Sequence, residues 1–110
     1  MKLTTKDQAW LRDYQQILGK DFPGLVEQIL LFGSKARGTA GPDSDIDLVV
    51  IIGAGDHKTK REVAMAGYDL AIDADVVPSF IVYTSAEWER LASTRAPFWR
   101  ILERDAVVVG

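Results

Sequence analysis

The chain contains no cysteine. That excludes a disulfide framework and any thiolate metal centre, and it fits a reducing cytoplasm. Long hydrophobic runs are also missing. Leu48 to Ile52 is the longest, far short of the ~20 apolar residues a membrane span requires. Met1 is followed by polar and charged residues, so no signal peptide is expected. Basic residues are too few for a general nucleic-acid binder: 13 Lys and Arg against 16 Asp and Glu leave a net charge of -3, whereas neutralising phosphates calls for excess positive charge. Histidine occurs once, at His57 in a polar stretch, where a solvated ring is the commoner case than a catalytic base. With 110 residues, the expectation is a single domain over 1–110.

The elements read as alternating helices and strands. Lys6 to Leu18 carries Trp10, Leu11, Tyr14, Ile17 and Leu18 at helical spacing, and Gly19 is placed to end that helix. Val26 to Phe32 is a short buried strand. Gly33 breaks it, Ser34 can cap a short helix from Lys35, and Gly38, Gly41 and Pro42 follow. Asp45 to Ile52 is a second strand, and Thr59 to about Ala74 a helix. Val76 to Tyr83 is a third strand, rich in β-branched and aromatic residues. Thr84-Ser85-Ala86-Glu87 is a capping box for a helix to about Thr94. Pro97 opens another to Arg104, and Ala106 to Val109 is a last short strand. The pattern is α/β with one small mixed sheet. Trp10, Trp88 and Trp99 stand at helical positions suited to packing. Glu87, Glu89, Arg90 and Glu103 read as a solvated face.

Chemistry concentrates in Gly33-Ser34-Lys35-Ala36-Arg37-Gly38 and in Ser44-Asp45-Ile46-Asp47-Leu48. A strand that ends in Gly-Ser and opens a helix offers free backbone N–H groups to an anion such as phosphate, and glycine permits close backbone approach. Lys35 and Arg37 add positive charge. Asp45 and Asp47, two apart on a strand, project from one face, roughly 6.5–7 Å apart at the backbone. Such a pair can hold divalent ions ~3.5–4 Å apart, and Mg²⁺ favours a few carboxylates completed by water and phosphate. Taken singly, the glycine run is more often an ordinary turn, and the two acids more often the solvated side of a half-buried strand. Their order and spacing together point to a nucleotide–metal site.

Gly33-Ser34, ten intervening residues and then Asp45-Ile46-Asp47 resemble the signature of the DNA polymerase β-like nucleotidyltransferase superfamily. GSKARGTAGPDSDIDLVV more narrowly resembles the minimal nucleotidyltransferases, often encoded beside a helical HEPN partner. YDLAIDADVVPSFIVYTSAEWERL and APFWRILERDAVVV are also similar, so the resemblance runs from about Leu25 to Val109. It implies a nucleotidyltransferase fold, two Mg²⁺ ions, and transfer of a nucleoside monophosphate, AMP from ATP above all, to a hydroxyl. By that resemblance Gly33 and Ser34 hold the β- and γ-phosphates, and Asp45 and Asp47 are the metal ligands and candidate catalytic residues. Lys35 and Arg37 as neutralisers of pyrophosphate rest more on the physical reasoning. The implied acceptor is a HEPN-type protein in a toxin–antitoxin-like pair, with recognition supplied by that partner or by self-association.

One position departs from the family pattern. Active members bring a third carboxylate from the third strand, and Ser79 stands there. Asp75 lies four residues earlier, ~13 Å by strand rise; it could serve as a substitute acid only through a register shift or a bulge and otherwise reads as a solvated turn residue, with Asp73 still in the helix or its turn. A contact-only nucleotide-binding module is therefore the alternative to an enzyme. Small-molecule modification is a third reading, disfavoured because 110 residues leave no room for a separate substrate domain.

Overall fold

The computed structural model describes residues 1–41 and 43–110. Pro42, read above as part of the stretch that stops the short helix, lies outside the described residues. The elements are α1 (Thr5–Asp21), β1 (Val26–Phe32), α2 (Gly33–Arg37), β2 (Ile46–Ile52), α3 (His57–Ala74), β3 (Pro78–Thr84), α4 (Ser85–Thr94), α5 (Pro97–Asp105) and β4 (Val107–Val108). They form a mixed sheet in the order β3-β2-β1-β4. β1 runs antiparallel to β2 and β4, and β2 runs parallel to β3.

Local chemistry explains most boundaries. α1 starts with a capping box: Thr4 Oγ1 accepts from Asp7 N–H and the Asp7 carboxylate accepts from Thr4 N–H, both at 3.0 Å. The helix runs through Gly19 to Asp21 rather than stopping there. Glycine costs a helix only ~1 kcal/mol against alanine, and the buried Trp10, Leu11, Tyr14 and Leu18 hold α1 in place. β3 begins at Pro78, two residues later than expected; without an N–H, proline suits the first position of an edge strand. β2 begins at Ile46, leaving Asp45 just outside it.

The alternation in β2 sorts the core into two layers. Ile46, Leu48, Val50 and Ile52 pack with α1 and α3. Val49 and Ile51 join Leu30 and Leu102, with Trp88, Leu91 and Phe98 packed against them from α4 and α5. Burial on both faces accounts for the unbroken apolar run of this strand. The indole of Trp10 donates to Gly67 O at 3.0 Å and the Tyr14 hydroxyl to Val63 O at 2.8 Å, joining α1 to α3. Trp10 is thus a core residue, whereas Trp88 and Trp99 are half-buried with ring centroids 5.0 Å apart.

The expected box opens α4. Thr84 Oγ1 accepts from Glu87 N–H at 3.2 Å and Glu87 accepts from Thr84 N–H at 2.9 Å. Glu87 also pairs with Lys60 of α3 at 2.6 Å, so it does more than line a solvated face. Lys60 first, and the Thr84 N–H after it, hold the Glu87 carboxyl down at about 2, below its ordinary 4.5. A depressed folded-state value stabilises the fold above the unfolded value and is lost as acid protonates the group. The Glu87 contribution is therefore complete above pH 4.5 and disappears as pH falls towards 2. Glu87→Gln is expected to cost ~1 kcal/mol at neutral pH and to flatten that part of the acid limb. Urea unfolding across pH 2–5 checks it; parallel limbs in both proteins would show that Glu87 is not the group responsible.

Candidate metal- and nucleotide-binding site

The antiparallel pairing of β1 and β2 brings the end of one beside the start of the other. Phe32 lies opposite Asp47, and Asp47 lies beside Ser79 on the parallel neighbour β3. Asp47 shares its side of β2 with Val49 and Ile51, on the α4/α5 face. The chain then turns at Gly33, where φ is +75°, a conformation glycine adopts without strain. A Cβ on Gly33 would stand 2.3 Å from Asp47 Oδ2. The positive φ thus favours glycine here, and with no side chain on Gly33 the Asp47 carboxylate lies against bare backbone.

Asp45 is exposed and Asp47 half-buried. Partial burial first, and the like charge of Asp45 second, raise the Asp47 carboxyl above its ordinary 3.8, against a lowering by Arg37. Asp45 and Asp47 belong to none of the ion pairs within 4.0 Å among the described residues. Two mutually repelling carboxylates beside a backbone cleared of side chain fit a hard divalent cation, which would relieve the repulsion and take water and phosphate as remaining ligands. Among the described residues no group of three or more His, Cys, Asp or Glu could hold a metal, so this site presents two acids.

α2 differs in detail from expectation. It starts at Gly33, with Phe32 as an N-cap that offers no side-chain hydrogen bond, so Ser34 does not cap it. Its five residues generate little macrodipole; what it can offer an anion is the N–H groups of its first turn, which have no partner within the helix. Ser34 is half-buried, and its carbonyl accepts from Thr39 N–H at 3.0 Å. Gly38, at φ +78°, closes the helix in the left-handed conformation.

The two basic residues of α2 diverge. Lys35 is only 2% exposed, and its ammonium is ion-paired with Asp7 in α1. The expectation of an open phosphate ligand at Lys35 thus meets an inward-facing, already neutralised side chain. Arg37 is exposed, lies 3.8 Å from Asp105 at the end of α5, and is the cation whose field reaches Asp47. Asp105 drew no attention in the sequence, and no spacing signal would have singled it out.

Asp75 does not join the acid pair. It is the left-handed C-cap of α3, at φ 55°, with an exposed side chain bonded to Lys6 at 2.6 Å. Lys6 holds its carboxyl below the ordinary range. Asp73 lies in α3, and His57 is the exposed first residue of that helix. A cavity of about 490 Å³ on the α1 side is lined by Lys6, Asp7, Lys35, Asp43, Ser44 and Asp75 among others. It reaches Ser44 but neither Asp45 nor Asp47.

A nucleotidyltransferase-domain family model matches residues 11–99. No curated protein matches the chain. Among solved structures, a toxin–antitoxin complex with AMP-PNP is 25% identical, covering 87% of this chain and 69% of the other at a TM-score of 0.56. A mutant of the toxin–antitoxin MntA–HpeT is 24% identical, with 91% and 71% covered and a TM-score of 0.58. A candidate nucleotidyltransferase from Sulfolobus solfataricus is 19% identical, with 97% and 87% covered and a TM-score of 0.56; the last two likenesses concern the fold alone. The family match spans α1 from Leu11, the Gly33 turn, both acids and β3, and by it the chain belongs to the nucleotidyltransferase domain family.

Proposed function

We propose that residues 1–110 work as one unit, a metal-dependent nucleotidyltransferase that moves a nucleoside monophosphate, AMP from ATP, to a hydroxyl on a HEPN-type protein partner. The observation that carries this reading is the Asp47 carboxylate lying against the bare Gly33 backbone, with Asp45 close enough to raise its pKa. In this arrangement the N–H groups of Gly33 and Ser34 receive the β- and γ-phosphates, and Asp45 and Asp47 hold Mg²⁺, two ions where the triphosphate supplies the remaining ligands. The metal supplies charge neutralisation at the phosphates and a lowered pKa for the attacking hydroxyl. Arg37 faces the charge that grows on the pyrophosphate. The acceptor oxygen bonds to the α-phosphorus, the bond from that phosphorus to the bridging oxygen breaks, pyrophosphate leaves with that electron pair, and the hydroxyl proton passes to solvent water. The toxin–antitoxin neighbour with AMP-PNP supports both an adenine nucleotide and a protein partner, and such a pair would act in the cytoplasm, where ATP and Mg²⁺ are abundant.

Ser79 beside Asp47 favours a second reading, in which the nucleotide site binds without turnover and the protein acts by contact. Transfer of label from α-labelled ATP to the partner separates the two.

Mg²⁺ and ATP are expected to stabilise the fold together by more than the sum of their separate effects; the total from the bound complex is ~2.7 kcal/mol at a hundredfold excess over its dissociation constant. Asp47→Asn is expected to abolish that synergy and leave the unliganded protein no less stable. Because the folded-state pKa of Asp47 is raised, its ionised form is penalised, and that penalty grows as pH rises through the folded value. Thermal melts with each ligand and with both test this. Additive shifts would rule out a joint site, and unfolding of Asp47→Asn would make the carboxylate structural.

A further inference from the structure

Arg37, at the end of the short helix that Gly33 opens, has a partner of its own. Its guanidinium Nη1 lies 3.8 Å from Asp105 Oδ2. Asp105 is itself held by Arg104, whose Nε and Nη2 donate to its two oxygens, both at 3.0 Å. The Asp105 side chain is 9% exposed, against 42% for Arg37 and 69% for Arg104. Its backbone is equally fixed. Asp105 ends α5, and two residues later Val107 and Val108 pair with Leu31 and Leu30 of β1, the strand that runs directly into Gly33 and α2. Both ends of the Arg37–Asp105 contact are therefore mounted on β1.

We infer that Asp105 is a positioning residue, which tethers the Arg37 guanidinium at the end of α2, one turn from the Gly33 backbone that meets Asp47, and so prepares it for a triphosphate. The inference rests on the nucleotide site proposed above. A free arginine samples many rotamers, and ordering it on a ligand costs conformational entropy. A contact made before the ligand arrives removes part of that cost. At 3.8 Å the contact is a charge attraction looser than a hydrogen bond, so it biases the guanidinium towards Asp105 and leaves its donors free for a ligand. Arg104 balances the charge of Asp105, and the three side chains together keep one net positive charge. Asp105 thus aims Arg37 without making the site repel an anion.

The test is a double-mutant cycle on Mg·ATP affinity, read by calorimetry, with thermal unfolding as a fold control. Asp105→Asn is expected to weaken binding about threefold to fivefold, and Arg37→Gln about tenfold or more. The double variant is expected to match Arg37→Gln alone, because the tether has nothing left to hold. Arg104→Ala removes the bidentate partner and the balancing charge of Asp105, so it is expected to weaken binding as well, by a smaller factor than Asp105→Asn; a purely structural role for this end of α5 would lower the melting temperature of both variants in step with their loss of affinity. If Asp105→Asn does not fold, Asp105→Ser enters the same cycle. Unchanged or tighter binding by Asp105→Asn overturns the inference, as does an equal loss in the Arg37→Gln background. Failure of the unaltered chain to bind Mg·ATP removes the nucleotide site and the tether with it; normal binding that ignores Asp105→Asn removes the tether alone.

Discussion

Lys35→Met is expected to destabilise the fold by ~3–5 kcal/mol, the cost of stranding one member of a buried ion pair. The side chains of Lys35 and Asp7 are 3% and 5% exposed. Without the ammonium, the Asp7 carboxylate keeps only the Thr4 N–H at 3.0 Å and the favourable end of α1. The loss therefore falls towards the lower end of the range. Asp7→Ala is expected to cost at least as much, since it leaves a buried ammonium unpaired and also breaks the capping box. An Asp7→Leu, Lys35→Met double variant replaces both charges with apolar groups and is expected to recover most of the stability. Urea unfolding of the three variants reads this directly. Nucleotide binding by the same variants decides what Lys35 does: a Lys35→Met protein within ~1 kcal/mol of the parent that has lost nucleotide affinity would make this lysine a phosphate ligand after all.

That contrast marks where sequence reading stops. The Gly33 turn, the Thr84–Glu87 capping box and the Pro97 helix start are short-range features, and each follows from a few adjacent residues. The strands show because β2 is apolar on both faces and β1 on most of its length. Side-chain partners far apart in sequence have no such signature. Lys35 meets Asp7 across 28 positions, and Lys6 meets Asp75 across 69. Both depend on how α1 lies across the sheet. Lys35 and Arg37 look equivalent in sequence, two basic residues within one turn, yet successive helical positions point about 100° apart. A separation of two therefore sends one inward to α1 and the other outward to α5. The register of β3 against β2 is a tertiary fact too, and it sets Ser79, rather than Asp75, beside Asp47; only the family resemblance, and no local spacing, pointed to Ser79 in the sequence.

Ser79→Asp is the substitution expected to change activity most. Transfer requires the acceptor hydroxyl to lose its proton while in line with the α-phosphorus, and a base placed to take that proton is worth ~10²–10⁴ in rate. Ser79 is half-buried, on the same face as Asp47 and directly beside it across the parallel ladder, so an aspartate there would add a third carboxylate to the pair. Three acids in place of two should lower the stability of the metal-free protein, because burial and Asp45 already raise the Asp47 carboxyl, and should enlarge the stabilisation by Mg²⁺. The isolated chain is expected to transfer label from α-labelled ATP to a HEPN protein slowly or not at all, and Ser79→Asp to raise that rate within the general-base range. Melting with and without Mg²⁺ supplies a readout that does not depend on finding the acceptor. A larger Mg²⁺ shift without a rate gain would mean that the third carboxylate reaches the metal but not the nucleophile. No change in either would put residue 79 outside the site. Fast transfer by the unaltered chain would mean either that another base is present or that two carboxylates suffice. Asp75→Asn then discriminates: lost activity would mean that the exposed Asp75 leaves Lys6 and moves to the site, and retained activity that Asp45 and Asp47 suffice, alone or with a group from the partner.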